Sequence, residues 1–192
     1  MAAKNPFSYV WQGICTLYLK IMGWKMYGQW PETPKAVLIA APHTSNWDGI
    51  NMLAAAGFFR AKIKWMGKKS LTTGPFGGIV KWLGCVPVDR GNASDLPAQM
   101  ADAFANSKEM LLAIPPEGTR AATPKWKTGF YRIAVAAKVP IMMTVLDYRS
   151  KSIRVSGLLW PSGDYEADLD IIRTHYADAD GARAGKFDVT KI

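Results

Sequence analysis

Six short apolar segments recur along this chain, and their spacing limits the folds it can adopt. Each has four to nine residues, the length of a strand, and most are continuous apolar runs typical of strands buried on both faces of a sheet. Helical spacing of apolar residues marks most of the intervening segments. The predicted strands are residues 37–41, 62–66, 85–88, 110–114, 140–148 and 153–159. This alternation predicts an α/β fold with a central, largely parallel, mixed sheet flanked by helices.

The helical segments complete a single-domain organisation, for which 192 residues provide a sufficient core. The predicted helices are residues 7–23, 48–59, 94–107, 128–137 and 167–176, with a short helix or irregular segment at 74–83. We divide the chain into an N-terminal amphipathic helix (1–30), an α/β domain (31–176) and a loosely ordered C-terminal tail (177–192) with two glycines and mixed charge.

The basic composition indicates an anionic partner. The formal net charge is +9 and the isoelectric point is near 9.6, which favours nucleic acid, anionic lipid headgroups or phosphorylated substrates. Eight tryptophans accompany the lysines and arginines, a combination typical of proteins at a membrane interface that also suits single-stranded nucleic acid. Cys15 and Cys85 lie far apart without the spacing of metal ligands, so we expect neither a disulfide nor a metal site.

The amphipathic segment at residues 7–23 has two interpretations. It fits a helix that packs on the core, and it also fits a helix at a membrane surface, because Trp24, Lys25, Tyr27 and Trp30 flank it. No apolar run reaches the ~18 to 20 residues that a transmembrane helix needs, and the N-terminus lacks a signal-peptide pattern. We therefore expect a peripheral or monotopic protein on the cytoplasmic side of a membrane, without a transmembrane span.

The first predicted strand is followed by His43, one of only two histidines, and five residues later by Asp48. An imidazole oriented by a carboxylate can act as a general base. The turn between them would fold the chain back so that the two side chains meet. The Ser45-x-x-Asp48 spacing also fits a capping box, in which Asp48 only accepts backbone N–H groups at the start of a helix. Both interpretations stay open at this point.

Four groups of polar residues follow predicted strands. The carboxyl ends of parallel strands lie at one edge of a sheet, where open α/β folds bind ligands, so we expect these groups to meet. Arginines can hold phosphate oxygens in forked geometry, and a lysine adds a point charge. Such a site suits a phosphate-bearing substrate whose hydroxyl loses its proton to His43, although each group alone also fits a solvated loop. The groups are His43 with Asp48, Lys68 with Lys69, Asp89 with Arg90, and Glu117-Gly118-Thr119-Arg120.

These residues resemble the glycerolipid acyltransferases, in particular the 1-acylglycerol-3-phosphate acyltransferase type. Four motif blocks stand in the order of that family, and the resemblance runs from about residue 37 to about residue 146. It implies that the first block is catalytic, that the second and third hold the phosphate and glycerol of the acceptor, and that the fourth belongs to the acyl-donor side or the fold. The blocks are His43-x4-Asp48, Gly84-Cys-Val-Pro-Val-Asp89-Arg90, Pro116-Glu117-Gly118-Thr119-Arg120 and Val139-Pro140-Ile141.

The resemblance implies an O-acyltransferase of phospholipid biosynthesis. It would move a fatty acyl group from acyl-CoA or acyl carrier protein, as co-substrate, to a lysophospholipid such as 1-acylglycerol-3-phosphate, giving phosphatidic acid. His43 would be the base and Asp48 its orienting partner, and no other cofactor or metal is implied. The other partner would be an anionic membrane surface, with no nucleic acid. The implied acceptor-binding residues are Lys68, Arg90, Glu117, Gly118, Thr119 and Arg120.

Two departures from the family pattern concern the acceptor more than the reaction. Ser70 stands where glutamate is usual, and the N-terminal part is short. Another lyso-lipid acceptor, such as lyso-ornithine lipid, therefore stays open. The alternatives of other classes are a thioesterase, in which water replaces the acceptor, and a non-catalytic module that binds anionic lipid.

Overall fold

Seven strands form one mixed sheet in the computed structural model, which describes residues 6–88 and 95–192. Their order across the sheet is β1-β7-β6-β2-β5-β3-β4, and neighbours run parallel except for the antiparallel pair β6 and β7. The strands are β1 Lys25–Tyr27, β2 Lys35–Ala41, β3 Ile63–Lys68, β4 Cys85–Val88, β5 Met110–Ile114, β6 Ile141–Asp147 and β7 Ser152–Leu159. The predicted fold class is confirmed.

Each face of the sheet carries its own apolar core. Side chains alternate along a strand, so Val37 and Ile39 of β2 enter one core and Ala36 and Leu38 enter the other. The first core also contains residues of α5, α6 and α7, and the second contains residues of α1 and α2. The helices are α1 Pro6–Ile21, α2 Trp47–Phe58, α3 Lys69–Thr73, α4 Gly77–Trp82, α5 Leu96–Ala105, α6 Gly129–Ala137 and α7 Tyr165–Tyr176, with a short 3₁₀ helix at Val189–Lys191.

Two local features differ from the sequence prediction: the segment between β3 and β4, and strand β1. The segment predicted as one helix or irregular at 74–83 contains α4, while α3 precedes it. The two are separate because Gly74 has extended backbone and Pro75 has no N–H to continue a helix. The sequence analysis did not predict β1, which is only three residues long and pairs with the distant β7.

Helix α1 is apolar on both of its sides. Cys15 and Leu19 are buried against α2, where a Cβ on Gly57 would lie only 2.3 Å from the Cys15 sulfur. On the other side Leu17 and Ile21 are 59% and 73% exposed. The core interpretation of residues 7–23 therefore holds for one side of the helix and leaves a second apolar side uncovered. None of the helices in the described part of the chain has both the length and the apolar character to cross a bilayer.

The segment after α7 is attached to the sheet at several points. The Asp180 main chain accepts the Tyr148 N–H at 2.9 Å and donates its own N–H to Asp147 at 3.1 Å. Arg154 of β7 forms a two-pronged ion pair with Asp178, at 2.8 and 2.6 Å. The terminal residue Ile192 is buried in the first core. Loose order of residues 177–192 stays a prediction, but these contacts give the segment a defined path across the carboxyl edge of the sheet.

Candidate active site

The candidate site lies beyond the carboxyl ends of β5, β2 and β6, which are neighbours in the sheet. These strands run parallel and stay in register near their ends, so the segments that leave them start side by side. They contribute Glu117, His43 and Tyr148 respectively. The edge predicted from the sequence is therefore the place where these polar side chains meet.

Asp48 lies at the centre of a hydrogen-bond network. Its Oδ2 accepts the N–H groups of Thr44 at 2.6 Å and Ser45 at 2.7 Å, and it lies 3.4 Å from His43 Nδ1. Its Oδ1 accepts the hydroxyl protons of Ser45 at 2.9 Å and Tyr148 at 2.6 Å. Asp48 thus accepts backbone N–H groups just before the start of α2 and faces the imidazole at the same time, so the two interpretations of the Ser45-x-x-Asp48 spacing do not exclude each other.

The electrostatics of Asp48 favour its anionic form. The carboxylate is buried, which by itself raises its pKa, but hydrogen bonds from His43, Tyr148 and Ser45 outweigh burial and hold the pKa below its usual value. An anionic partner favours the His43 tautomer that carries its proton on Nδ1, which leaves the Nε2 lone pair free. The His43 side chain is 25% exposed, so the imidazole can be reached from solvent. The pair has the arrangement of a general base with its orienting carboxylate.

Tyr148 and two further residues hold Asp48 from the core side. The Tyr148 hydroxyl accepts a hydrogen bond from Asn51 Nδ2 at 3.0 Å, and Asn51 Oδ1 accepts one from the Tyr18 hydroxyl at 2.9 Å. The Tyr148 ring also packs edge-on against Trp24, with centroids 4.9 Å apart. The sequence analysis missed this chain from α1 to Asp48. One signal was available, because Tyr148 ends a predicted strand at the same edge of the sheet.

Glu117 supports the His43 loop from inside the protein. Its side chain is only 3% exposed, and its Oε1 accepts the His43 N–H at 2.8 Å. Burial raises the pKa of Glu117 to about 7, and Oε2 has no hydrogen-bond partner among the described residues. Its predicted part in acceptor binding stays a prediction. The observed contact is with the loop that carries His43.

The turn after Glu117 brings a cation to the mouth of the site. Gly118 has φ of +63°, and a Cβ there would lie 2.8 Å from Lys127 Cδ, so glycine fits both the conformation and the space. Thr119 and Arg120 are exposed, and Arg120 Nη1 donates to Asn46 Oδ1 in the loop after His43. An open pocket of about 430 Å³ adjoins this turn. The pocket is lined by Asn46, Thr119, Arg120, Ala121, Arg183 and Lys186.

One predicted phosphate ligand, Lys68, is absent from the described lining of this pocket, and a second, Arg90, lies in a part of the chain that the structure does not describe. Lys68 is exposed at the end of β3, and β5 lies between β3 and β2, which separates their axes by two strand spacings, or roughly 10 Å. Within the described ranges, no hydrogen bond or ion pair joins Lys68 to His43 or Arg120. Arg90, together with Asp89, lies outside the described residues. Arg183 and Lys186, which the sequence analysis assigned to the tail, line the pocket instead.

Neither cysteine has the surroundings of a nucleophile. Both are buried, and burial raises the pKa of Cys15 to about 11 and also raises the pKa of Cys85. In residues 6–88 and 95–192, no three His, Cys, Asp or Glu side chains cluster as metal ligands would. The described site therefore consists of an imidazole, its buried carboxylate partner and a neighbouring basic pocket.

The chain matches a protein-family model. A family model described as acyltransferase covers residues 26–146, which include His43, Asp48 and the turn at Glu117.

Curated relatives from bacteria are similar over part of their length. The 1-acyl-sn-glycerol-3-phosphate acyltransferase of Escherichia coli (strain K12) is 32% identical over 124 residues, which is 62% of this chain and 49% of that protein. The probable 1-acyl-sn-glycerol-3-phosphate acyltransferase of Mycoplasma pneumoniae is 31% identical over 151 residues, 67% of this chain and 52% of that protein. The chain thus spans about half the length of these relatives.

A solved structure of similar fold is among the matches. It is described as the 1-acyl-sn-glycerophosphate (LPA) acyltransferase, PlsC, from Thermotoga maritima, and it matches with a TM-score of 0.59 over 92% of this chain and 81% of that chain. Only 13% of the aligned residues are identical, so the likeness concerns the arrangement of strands and helices.

Proposed function

Because the chain belongs to the acyltransferase family, we propose that it moves a fatty acyl group from an acyl thioester to the free hydroxyl of 1-acylglycerol-3-phosphate, giving phosphatidic acid. The observation that carries this proposal is the placement of His43 Nδ1 3.4 Å from the buried Asp48 carboxylate, beside a pocket that contains Arg120. The names of the relatives support the same acceptor.

The proposed mechanism is direct transfer from donor to acceptor. His43 Nε2 takes the proton from the acceptor hydroxyl as the hydroxyl oxygen attacks the thioester carbonyl carbon, and the C–S bond breaks to release the donor as a thiolate. Asp48 fixes the tautomer of the imidazole and stabilises the imidazolium that forms. Arg120 holds the phosphate of the acceptor, so that binding energy positions the hydroxyl at the base. The proton on His43 then passes to the leaving thiolate.

A covalent acyl-enzyme has little support in the structure. The two cysteines are buried, and their thiols have raised pKa values, which disfavours the thiolate that would attack. The serine beside His43, Ser45, is also buried, and its hydroxyl donates to Asp48 Oδ1. The acceptor hydroxyl is therefore the attacking group in our proposal. The donor is acyl-CoA or acyl carrier protein, both of which present a thioester and negative charge to a protein with net charge +9.

We also propose that the protein docks peripherally on an anionic bilayer through the apolar surface of α1 and α4. The six side chains that define this surface are each 58% to 73% exposed, and the Trp82 ring joins the two helices by contacting Phe7 and Trp11. Lys20 and Lys81, in the last turns of the two helices, provide positive charge for lipid headgroups. The surface consists of Val10, Leu17, Ile21, Phe76, Ile79 and Trp82.

The reaction is tested with a labelled acyl thioester and a panel of acceptors. The panel contains 1-acylglycerol-3-phosphate, its uncharged analogue 1-acylglycerol, lyso-ornithine lipid and a sample without acceptor. We expect transfer mainly to the phosphate-bearing lipid. Release of free fatty acid at the same rate with and without acceptor would instead identify a thioesterase, and preference for lyso-ornithine lipid would replace the proposed acceptor.

The phosphate contact and the docking surface have separate tests. Arg120→Gln is expected to raise the KM for 1-acylglycerol-3-phosphate about tenfold or more, because a charge-assisted hydrogen bond is lost. The control is Arg132→Gln, on the exposed side of α6, which should leave this KM unchanged.

Leu17→Glu is expected to reduce binding to anionic vesicles, with Ile171→Glu, at a 47% exposed site on α7, as the control. Equal vesicle binding by the two Glu variants would exclude docking through α1.

A further inference from the structure

The segment after α7 passes directly over the loop that carries His43. The Arg183 N–H donates to Thr44 Oγ1 at 3.3 Å. A Cβ on Gly181 would lie 2.6 Å from Thr44 Cγ2 and 2.8 Å from Thr44 Oγ1, so the two segments are in close contact. Thr44 is the residue after His43, and its own N–H donates to Asp48. The C-terminal segment is thus packed on the loop that carries His43, at the residue that also donates to Asp48.

The path of this segment is fixed by the same residue that holds Asp48. Tyr148 donates its hydroxyl proton to Asp48 and its main-chain N–H to the Asp180 carbonyl. Arg149 continues the attachment, because its Nη2 donates to the Asp178 carbonyl at 2.7 Å. These contacts set the positions of Arg183 and Lys186, which follow Asp180 by three and six residues.

Arg183 and Lys186 bring two further cations to the pocket beside Arg120. All three side chains are exposed and line the same opening of about 430 Å³, and no lining residue in the described ranges is acidic. None of the three forms an ion pair with a carboxylate of the described residues. Arg154 and Arg173 nearby behave differently, because Asp178 and Asp170 neutralise them. Three converging cations without a carboxylate partner among the described residues repel each other and form a good site for a multiply charged anion.

We propose that Arg183 and Lys186 act with Arg120 as a subsite for a phosphate monoester, so that the C-terminal segment is part of the substrate site. This rests on the proposed function for the identity of the ligand. An arginine presents a planar fork to phosphate oxygens, and a lysine adds a mobile point charge, so the pair suits a dianionic terminal phosphate. Two substrates carry such a group: the acceptor 1-acylglycerol-3-phosphate and, as the donor, coenzyme A with its 3′-phosphate. The contact with the His43 loop favours the acceptor.

The test measures binding by calorimetry, without an acyl donor, so that no turnover is needed. The probes are monomeric 1-hexanoylglycerol-3-phosphate, uncharged 1-hexanoylglycerol, and adenosine 3′,5′-bisphosphate as the phosphate-bearing part of coenzyme A. The proteins are wild type, R183Q/K186Q and the control K62Q/K108Q. The control removes the same charge from exposed residues that precede β3 and β5, at the opposite edge of the sheet.

We expect wild type and the control to bind the phosphate-bearing lipid more tightly than the uncharged one. In R183Q/K186Q the ratio of the two affinities should be smaller than in wild type by at least about tenfold, which is the effect of losing a charge-assisted hydrogen bond. R183K/K186R, which keeps both cations, should retain the preference. The binding of the wild type should also weaken as salt is added.

The outcomes separate this proposal from the proposed function. If R183Q/K186Q keeps both the preference for the phosphate-bearing lipid and the affinity for the bisphosphate unchanged, the subsite is overturned, even if acyl transfer is observed. Loss of affinity for the bisphosphate alone would keep the subsite and assign it to the donor. Phosphate-selective binding that depends on Arg183 and Lys186, in a protein without acyl transfer to any acceptor, would keep the subsite and overturn the proposed reaction.

Discussion

Replacing Glu117 by glutamine is expected to stabilise the protein at alkaline pH and to change little in acid. Burial raises the pKa of Glu117 from 4.5 to about 7. Between these two values the folded protein binds a proton that the unfolded chain has released, so the free energy of unfolding falls as pH rises. At pH values above the folded-state pKa, the free energy of unfolding has fallen by its full amount and no longer changes through this group. Glutamine does not ionise, and its Oε1 can still accept the His43 N–H.

The magnitude follows from the difference between the folded and unfolded pKa values. A difference of about 2.5 between 4.5 and 7 corresponds to about 3 kcal/mol. The free energy of unfolding of Glu117→Gln minus that of wild type should therefore rise from near zero at about pH 4 to about 3 kcal/mol at about pH 8. Taking the difference between the free energies of unfolding of the two proteins cancels the contributions of all other titrating groups.

Urea denaturation of both proteins across this pH range measures the difference. Glu32→Gln makes the same substitution at an exposed position and is the control for the change in charge. A difference between Glu117→Gln and wild type that stays constant with pH would refute the reasoning, since it would mean that Glu117 is not a buried carboxylate in solution. Glu117→Ala should lower kcat where Glu117→Gln keeps it, because alanine leaves the His43 N–H without its acceptor.

Three other predictions concern the support of the site. Tyr148→Phe removes a hydrogen bond to Asp48 and should cost about 1 to 3 kcal/mol of stability in chemical denaturation, together with a lower kcat; unchanged values of both would show that Asp48 is held without it. Gly181→Ala should destabilise by about 1 to 3 kcal/mol because its Cβ meets Thr44, whereas Gly13→Ala, where nothing lies within 4 Å, should not; equal melting temperatures of the two variants would contradict this packing. The free energy of unfolding of wild type should fall below about pH 4, since hydrogen bonds to the anion lower the pKa of Asp48, and Asp48→Asn should show a smaller fall. The same pH dependence of the two proteins in this range would count against an anionic Asp48.

The sequence was sufficient for the fold class and for the edge of the sheet on which the site lies. Apolar runs and helical spacing are local signals, and they located six of the strands that the structure contains. The parallel arrangement then placed His43, Asp48 and the turn at Glu117 at one edge, and the structure brings these together. The burial of the Glu117 side chain could not be predicted, because a Glu-Gly-Thr-Arg turn is polar in sequence and Glu117 is covered only by the tertiary structure.

The missed residues are those joined to the site by contacts distant in sequence. Tyr148 is 100 residues from Asp48, and Arg183 is 139 residues from Thr44. No periodicity or short motif encodes such pairs. The C-terminal segment was interpreted as a tail because it is polar and contains glycine, yet one of those glycines allows the close approach to Thr44. Low hydrophobicity there reflects the exposed lining of a pocket.

The most direct test of the central claim compares acyl transfer to 1-acylglycerol-3-phosphate by wild type, His43→Ala and His175→Ala. The last variant removes the other histidine, which lies on α7, and is the matched control. Loss of a positioned general base should lower kcat roughly 10²- to 10⁴-fold in His43→Ala, while His175→Ala should transfer acyl groups as the wild type does. Transfer by a folded His43→Ala protein at the wild-type rate would contradict the assignment of His43 as the base.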